Sequence, residues 1–125
     1  MNGVLFFDGA CGMCTRSVYF IRRLDRAGAL QIVPFQQPGS EERLGLDTAR
    51  MYTSSWWLDA TGQVYGAAEG VNAALSAALG TRLPLLFYRI PGVRQLQDAV
   101  YRWIAGHRYR FPGTTPYCES HPVAC

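Results

Sequence analysis

The sequence predicts an α/β fold in which a β-α-β unit is followed by a β-β-α unit around one central sheet. Three observations carry that expectation. A short apolar run, Val4 to Phe7, gives way after Asp8-Gly9 to apolar residues at helical spacing. A second apolar run, Leu30 to Phe35, then follows a short link. Further on, two strand-like segments flank Asp59-Ala60-Thr61-Gly62 and lead into an alanine-rich stretch. Each change of apolar period marks a change of backbone type, because side chains repeat every two residues in a strand and every 3.6 in a helix.

Taken in order, Val4 to Phe7 reads as a buried strand whose C-terminal end opens into a loop. From about residue 12 to residue 27 the chain reads as a helix. Val18, Ile21 and Leu24 line one side, Arg16, Arg22, Arg23 and Arg26 fall mostly on the other, and Gly28 is placed to terminate it. A helix between two strands permits Leu30 to Phe35 to pair in parallel with the first strand. Gln36 to Gly45 is polar and leads into a short helix around Glu41 to Leu46. Ser54 to Leu58 and Gln63 to Ala67 form a hairpin. Ala68 to Leu79 is helical and ends at Gly80. Thr81 to Gly92, with two prolines around LPLLFYRIPG, reads as a short helical turn or packed loop. Val93 to Gly106 is an amphipathic helix with Val93, Leu96, Val100 and Ile104 on one face. This order matches the thioredoxin fold with a C-terminal helical extension. With 125 residues the chain suits one domain, residues 1–111, and the proline- and glycine-rich residues 112–125 read as a surface tail.

Composition narrows the function classes. Apolar residues at 49% against 17% charged describe a chain that folds rather than a disordered one. All 12 basic residues are arginine, and between Arg82 and Arg110 only Asp98 opposes them. That basic face comes without a base-stacking or groove-reading motif, so it is expected to be a solvated helix face and not a nucleic-acid site. No stretch approaches the roughly 20 apolar residues of a spanning helix, and no signal peptide is visible, so stable membrane insertion is not expected and a cytoplasmic location is. The apolar segment Leu83 to Tyr88 suits a dimer surface or a peripheral membrane contact, which leaves the oligomeric state open. In a reducing compartment closely spaced cysteines point to catalysis or metal binding before structural disulfides.

Cys11-Gly12-Met13-Cys14 falls where the first strand hands over to the first helix. Unpaired amides of a first helical turn and the positive end of its dipole stabilise a thiolate on Cys11. Residues three apart there lie on one face, within the roughly 4.4–6.8 Å between alpha carbons that a disulfide spans. Cys11 would attack a substrate disulfide and Cys14 would resolve the mixed disulfide. Asp8 suits a general base that takes the proton of Cys14, or an acceptor of loop amides or helix cap. Trp56-Trp57, Tyr88 and Phe111 suit either core positions or an apolar groove for an extended substrate.

Asp8-Gly9-x-Cys11-x-x-Cys14 after a hydrophobic strand, with Asp98, Tyr101-Arg102, Ile104-Ala105 and Arg108-Tyr109-Arg110 further on, resembles the DCC family of thiol-disulfide oxidoreductases, which is placed in the thioredoxin-like class. The similarity runs from residue 4 to about residue 118. The resemblance implies disulfide reductase activity at Cys11 and Cys14, with Asp8 as the third member of the signature. Thioredoxins proper carry a cis-proline before the third strand. Met51-Tyr52-Thr53-Ser54-Ser55 has none, so Thr53 or Ser54 would supply backbone to a docked substrate.

The alternative is a zinc-binding structural or interaction module using Cys11, Cys14, Cys118 and His121, since zinc favours thiolate and imidazole in tetrahedral sets. Between the two lies a third possibility, in which Cys118 is a further redox cysteine carried to the Cys11 site by the tail. The redox chemistry requires no bound cofactor. Its expected partners are a disulfide-containing protein or small molecule and an external thiol reductant.

Overall fold

The computed structural model describes residues 2–26, 28–107 and 113–125. Its centre is a four-stranded sheet in the order β2-β1-β3-β4. Strand β1 (Gly3–Phe7) pairs in parallel with β2 (Leu30–Pro34), from Gly3 opposite Leu30 to Phe7 opposite Pro34. On its other edge β1 pairs antiparallel with β3 (Trp56–Asp59), which forms the hairpin with β4 (Val64–Gly66). With β1 at the centre, the residue that follows it is delivered to the middle of the sheet's C-terminal edge.

Alternation along β1 divides the core into two layers, because successive side chains point to opposite faces. Leu5 and Phe7 pack with Val18 and Ile21 of α1 (Gly12–Arg23) and with the alanines of α4 (Ala67–Leu79). Val4 and Phe6 pack on the other face with Phe35, Leu44 of α2 (Ser40–Leu44) and Met51 of α3 (Thr48–Met51). Burying Phe6 and Phe7, which are no more than 1% exposed, contributes about 1.5–3 kcal/mol each by apolar transfer. The alanines let α4 lie close to the sheet. At Gly70 the approach leaves no room for a side chain, since a Cβ there would stand 2.5 Å from the carbonyl oxygen of Tyr65.

This is the expected thioredoxin-like arrangement of sheet and helices, with several boundaries moved. Helix α1 stops at Arg23 and not at residue 27, because the Asp25 carboxylate accepts the amides of Ala29 and Leu30, both at 3.0 Å, and turns the chain into β2. The short helix covers Ser40–Leu44, and Gly45 in the left-handed region ends it. Helix α3 was not expected. Its cap is legible, since Asp47 accepts the amide of Arg50 at 2.8 Å. The hairpin strands are shorter than expected, with Asp59 organising the turn by accepting from Thr61 and Gln63.

The C-terminal extension consists of α5 (Leu83–Tyr88), α6 (Val93–Gly106), α7 (Tyr117–Ser120) and a 3-10 turn at Pro122–Ala124. Helix α6 has the expected span but a different inward face. Leu96 and Val100 are exposed, while Gln97, Asp98 and Tyr101 turn inward and bond to Asn72, Tyr88 and Ser55. Specific polar partners, not the apolar stripe, fix its rotation. Leu83, Leu86 and Phe87 of α5 are likewise exposed. Among the described residues no helix is long and apolar enough to cross a membrane. The expected domain limit at residues 111 and 112 lies outside the described residues.

Candidate active site

Asp8 follows the last residue of β1, and Gly9-Ala10 turn the chain into α1. Cys11 is the cap residue of that helix, extended at φ −101° and ψ 118°, with its Sγ accepting the backbone N–H of Cys14 at 3.3 Å. A sulfur thus occupies the place usually held by a serine or aspartate oxygen, at the end of the helix where the dipole is positive. Both cysteines are thiols in this structure. They differ in access, since Cys11 is 0% exposed while Cys14 is half-buried.

Asp8 is buried, and its Oδ1 accepts the amide of Ala10 and the Nε2 of Gln36, both at 3.0 Å. It is an acceptor of loop amides, and the cap is Cys11, not Asp8. The Gln36 side chain closes the arrangement, because its Oε1 accepts the amide of Gly9 at 3.0 Å. One amide group therefore holds the loop before Cys11 from both sides. Nothing in the sequence around Gln36 signals this role. The negative charge of Asp8 also reaches Tyr52, whose phenol is pushed above its ordinary value by burial first and by Asp8 second.

A cavity of about 240 Å³ opens beside Cys14, bounded by Asp8, Met13, Ser54, Tyr101 and Ile104 among others. Of the two residues expected to stand in for a cis-proline, Ser54 lines this cavity. Thr53 is exposed and its hydroxyl donates to the carbonyl of Arg50 at 2.6 Å. No described peptide bond is cis. Tyr101 of α6 holds the adjoining Ser55, accepting its amide at 2.9 Å, so the helical extension forms one wall of the site.

The tail is not a loose appendage. Thr114 donates its amide to the carbonyl of Gly12 at 3.3 Å, and Cys118 donates its amide to the carbonyl of Gly9 at 3.0 Å. The hydroxyl of Thr15 donates to the carbonyl of Cys11 at 2.9 Å and accepts the amide of Tyr117 at 3.1 Å. The Tyr117 ring packs edge-on against Phe7 at 5.3 Å. Sequence reasoning missed Thr15, whose partner Tyr117 lies 102 residues away.

Two sequence expectations are corrected here. Cys11, Cys14, Cys118 and His121 are not assembled as a zinc set. Cys118 is bonded to Cys125, the His121 ring stacks on Tyr117 at 4.2 Å, and among the described residues no three His, Cys, Asp or Glu side chains converge. The aromatic groove also does not form. Trp57 faces α4 in the core while Trp56 points to the opposite face and donates to the carbonyl of Met51, as alternation in β3 requires. Tyr88 is buried, and Phe111 lies outside the described residues.

The sequence has counterparts among known proteins. YuxK of Bacillus subtilis (strain 168), an uncharacterized protein, is 32% identical over 121 residues, which cover 94% of this chain and 85% of that protein. No solved structure matches the chain. Residues 5–114, which span the sheet, the cysteine pair and α6, match the family model described as DCC1-like thiol-disulfide oxidoreductase, and the chain belongs to that family.

Proposed function

We propose that the chain is a thiol-disulfide oxidoreductase of the disulfide-reductase type, with Cys11 as attacking thiol, Cys14 as resolving thiol and Asp8 as the base that serves Cys14. The observation that carries this reading is the Cys14 N–H directed at Cys11 Sγ on the first turn of α1. That N–H and the helix dipole favour negative charge on the sulfur. A Cys11 thiolate attacks one sulfur of a substrate disulfide and expels the other as a thiolate. Cys14 then passes its proton to Asp8 and attacks Cys11 Sγ, releasing the second substrate thiolate. Two electrons leave the pair, and an external thiol reductant restores it. The place of Ser54 beside Cys14 supports a substrate chain lying along that wall of the cavity. A reducing, cytoplasmic setting suits this direction of transfer.

The test is capture of mixed disulfides. Cys14→Ser, lacking the resolving thiol, accumulates substrate linked through Cys11, and Cys11→Ser accumulates none. If neither variant captures a partner while the wild-type chain reduces a protein disulfide, the assignment is wrong.

A further inference from the structure

The structure holds two cysteine couples in opposite states, Cys11 and Cys14 as thiols and Cys118–Cys125 as a disulfide. The tail brings the second couple onto the loop of the first. The amide of Cys118 bonds to the carbonyl of Gly9, two residues before Cys11. The sulfur of Cys118 lies so near that loop that a Cβ on Gly9 would meet it at 2.5 Å, and it stands 3.6 Å from Gln36 Oε1. Cys11 is fully buried, and the tail also lies against Gly12, where a Cβ would stand 2.6 Å from the carbonyl oxygen of Thr114. With the tail docked, the disulfide it carries is already at the loop that precedes Cys11.

We infer that Cys118–Cys125 is a second redox centre that exchanges electrons with the Cys11 and Cys14 pair, so that the docked tail relays electrons between that pair and thiols in solution. The inference rests on the oxidoreductase reading of Cys11 and Cys14. The Cys11 thiolate attacks Cys118 Sγ, the Cys118–Cys125 bond breaks, and Cys125 leaves as a thiolate. Cys14, deprotonated, attacks Cys11 Sγ and expels Cys118. One disulfide and one dithiol have exchanged places, with two electrons passing to the tail. In reverse, a solution thiol reduces the half-buried tail pair, which then reduces a Cys11–Cys14 disulfide.

A structural staple is the weaker account of the tail disulfide. Its cysteines are seven residues apart, and closing so short a loop removes less chain entropy than a long-range link does. The tail is already held by the carbonyls of Gly9 and Gly12 and by Thr15. In a reducing compartment a disulfide that persists is usually catalytic or redox-sensing.

The test uses the full chain carrying both Cys14→Ser and Cys125→Ser, which leaves Cys11 and Cys118. After complete reduction it is oxidised with diamide, alkylated and mapped as non-reduced peptides, and a parallel sample is exposed to oxidised glutathione. The expected product is a Cys11–Cys118 link within one chain, with a yield unchanged on about tenfold dilution because the partner is held at high effective concentration. Glutathione uptake at Cys11 with no link to Cys118 overturns the relay and leaves the oxidoreductase reading standing. Failure of both reactions overturns both. The wild-type chain gives a second readout that does not depend on a variant's folding: acid quenching during oxidation captures the same Cys11–Cys118 intermediate, and its absence counts against the relay.

Discussion

The hydroxyl of Thr15 ties the backbone of Tyr117 to the turn that carries the cysteines, accepting the Tyr117 amide while donating to the carbonyl of Cys11. Thr15 is fully buried, so its bond to the Cys11 carbonyl does not compete with water, and the tail is held beside the cysteine turn by this one side chain together with the carbonyls of Gly9 and Gly12. Access to Cys11 is thereby linked to the docking of residues 113–121.

Replacing Thr15 by valine keeps the volume and removes both bonds. The stranded amide of Tyr117 costs about 1–3 kcal/mol if it stays buried, which is enough to favour a tail that has swung out. The expected outcome is alkylation of Cys11 about tenfold faster than in the parent, since 1.4 kcal/mol corresponds to tenfold in population. Hydrogen exchange at Tyr117 should speed up in parallel. Unchanged protection of Tyr117 in this variant would show that the tail is held by other contacts.

The order of elements along the chain and the place of the cysteines were legible because both rest on local pattern. Val4 to Phe7 and Leu30 to Phe35 are runs too short and too apolar for anything but buried strands, and α1 begins where the cysteines fall. The closing of the site was not legible. Gln36, Tyr101 and Tyr117 act through partners 28, 46 and 102 residues away, and no periodicity encodes such a pairing. The alternative zinc set is not assembled for a related reason, since a spacing of ligand types says nothing about Cys125 claiming the sulfur of Cys118. The rotation of α6 shows the same limit, with three polar contacts overriding an apolar stripe.

Asp8→Asn separates the two roles open to that carboxyl. Asparagine keeps an oxygen that can accept from Ala10 and Gln36, so the loop geometry and the thermal midpoint should change little. It cannot take a proton from Cys14. The expected result is a resolution step slowed about 10²-fold or more, as for loss of a positioned general base, with trapped mixed disulfide at Cys11 visible even with Cys14 present. A variant that loses stability and keeps its resolution rate would assign Asp8 to the loop alone.

The joint between α5 and α6 has its own pH dependence. Tyr88 donates its hydroxyl to Asp98 Oδ1 at 2.7 Å, and its phenol is pushed up to about 12, chiefly by burial and then by that bond and the Asp98 charge. The folded state therefore prefers the protonated phenol more than the unfolded chain does, where it titrates near 10. The stabilisation is fully present below pH 10, shrinks as the unfolded phenol ionises, and is lost as the pH rises through about 12. Tyr88→Phe removes the bond, at a cost of about 1 kcal/mol at neutral pH because Asp98 keeps solvent and lies 4.0 Å from Arg94. In return the variant should lose less stability than the parent between pH 10 and about 12, so the two curves converge there. Denaturant midpoints measured across that window check this, and parallel curves would mean that the phenol ionises without disturbing the α5–α6 joint.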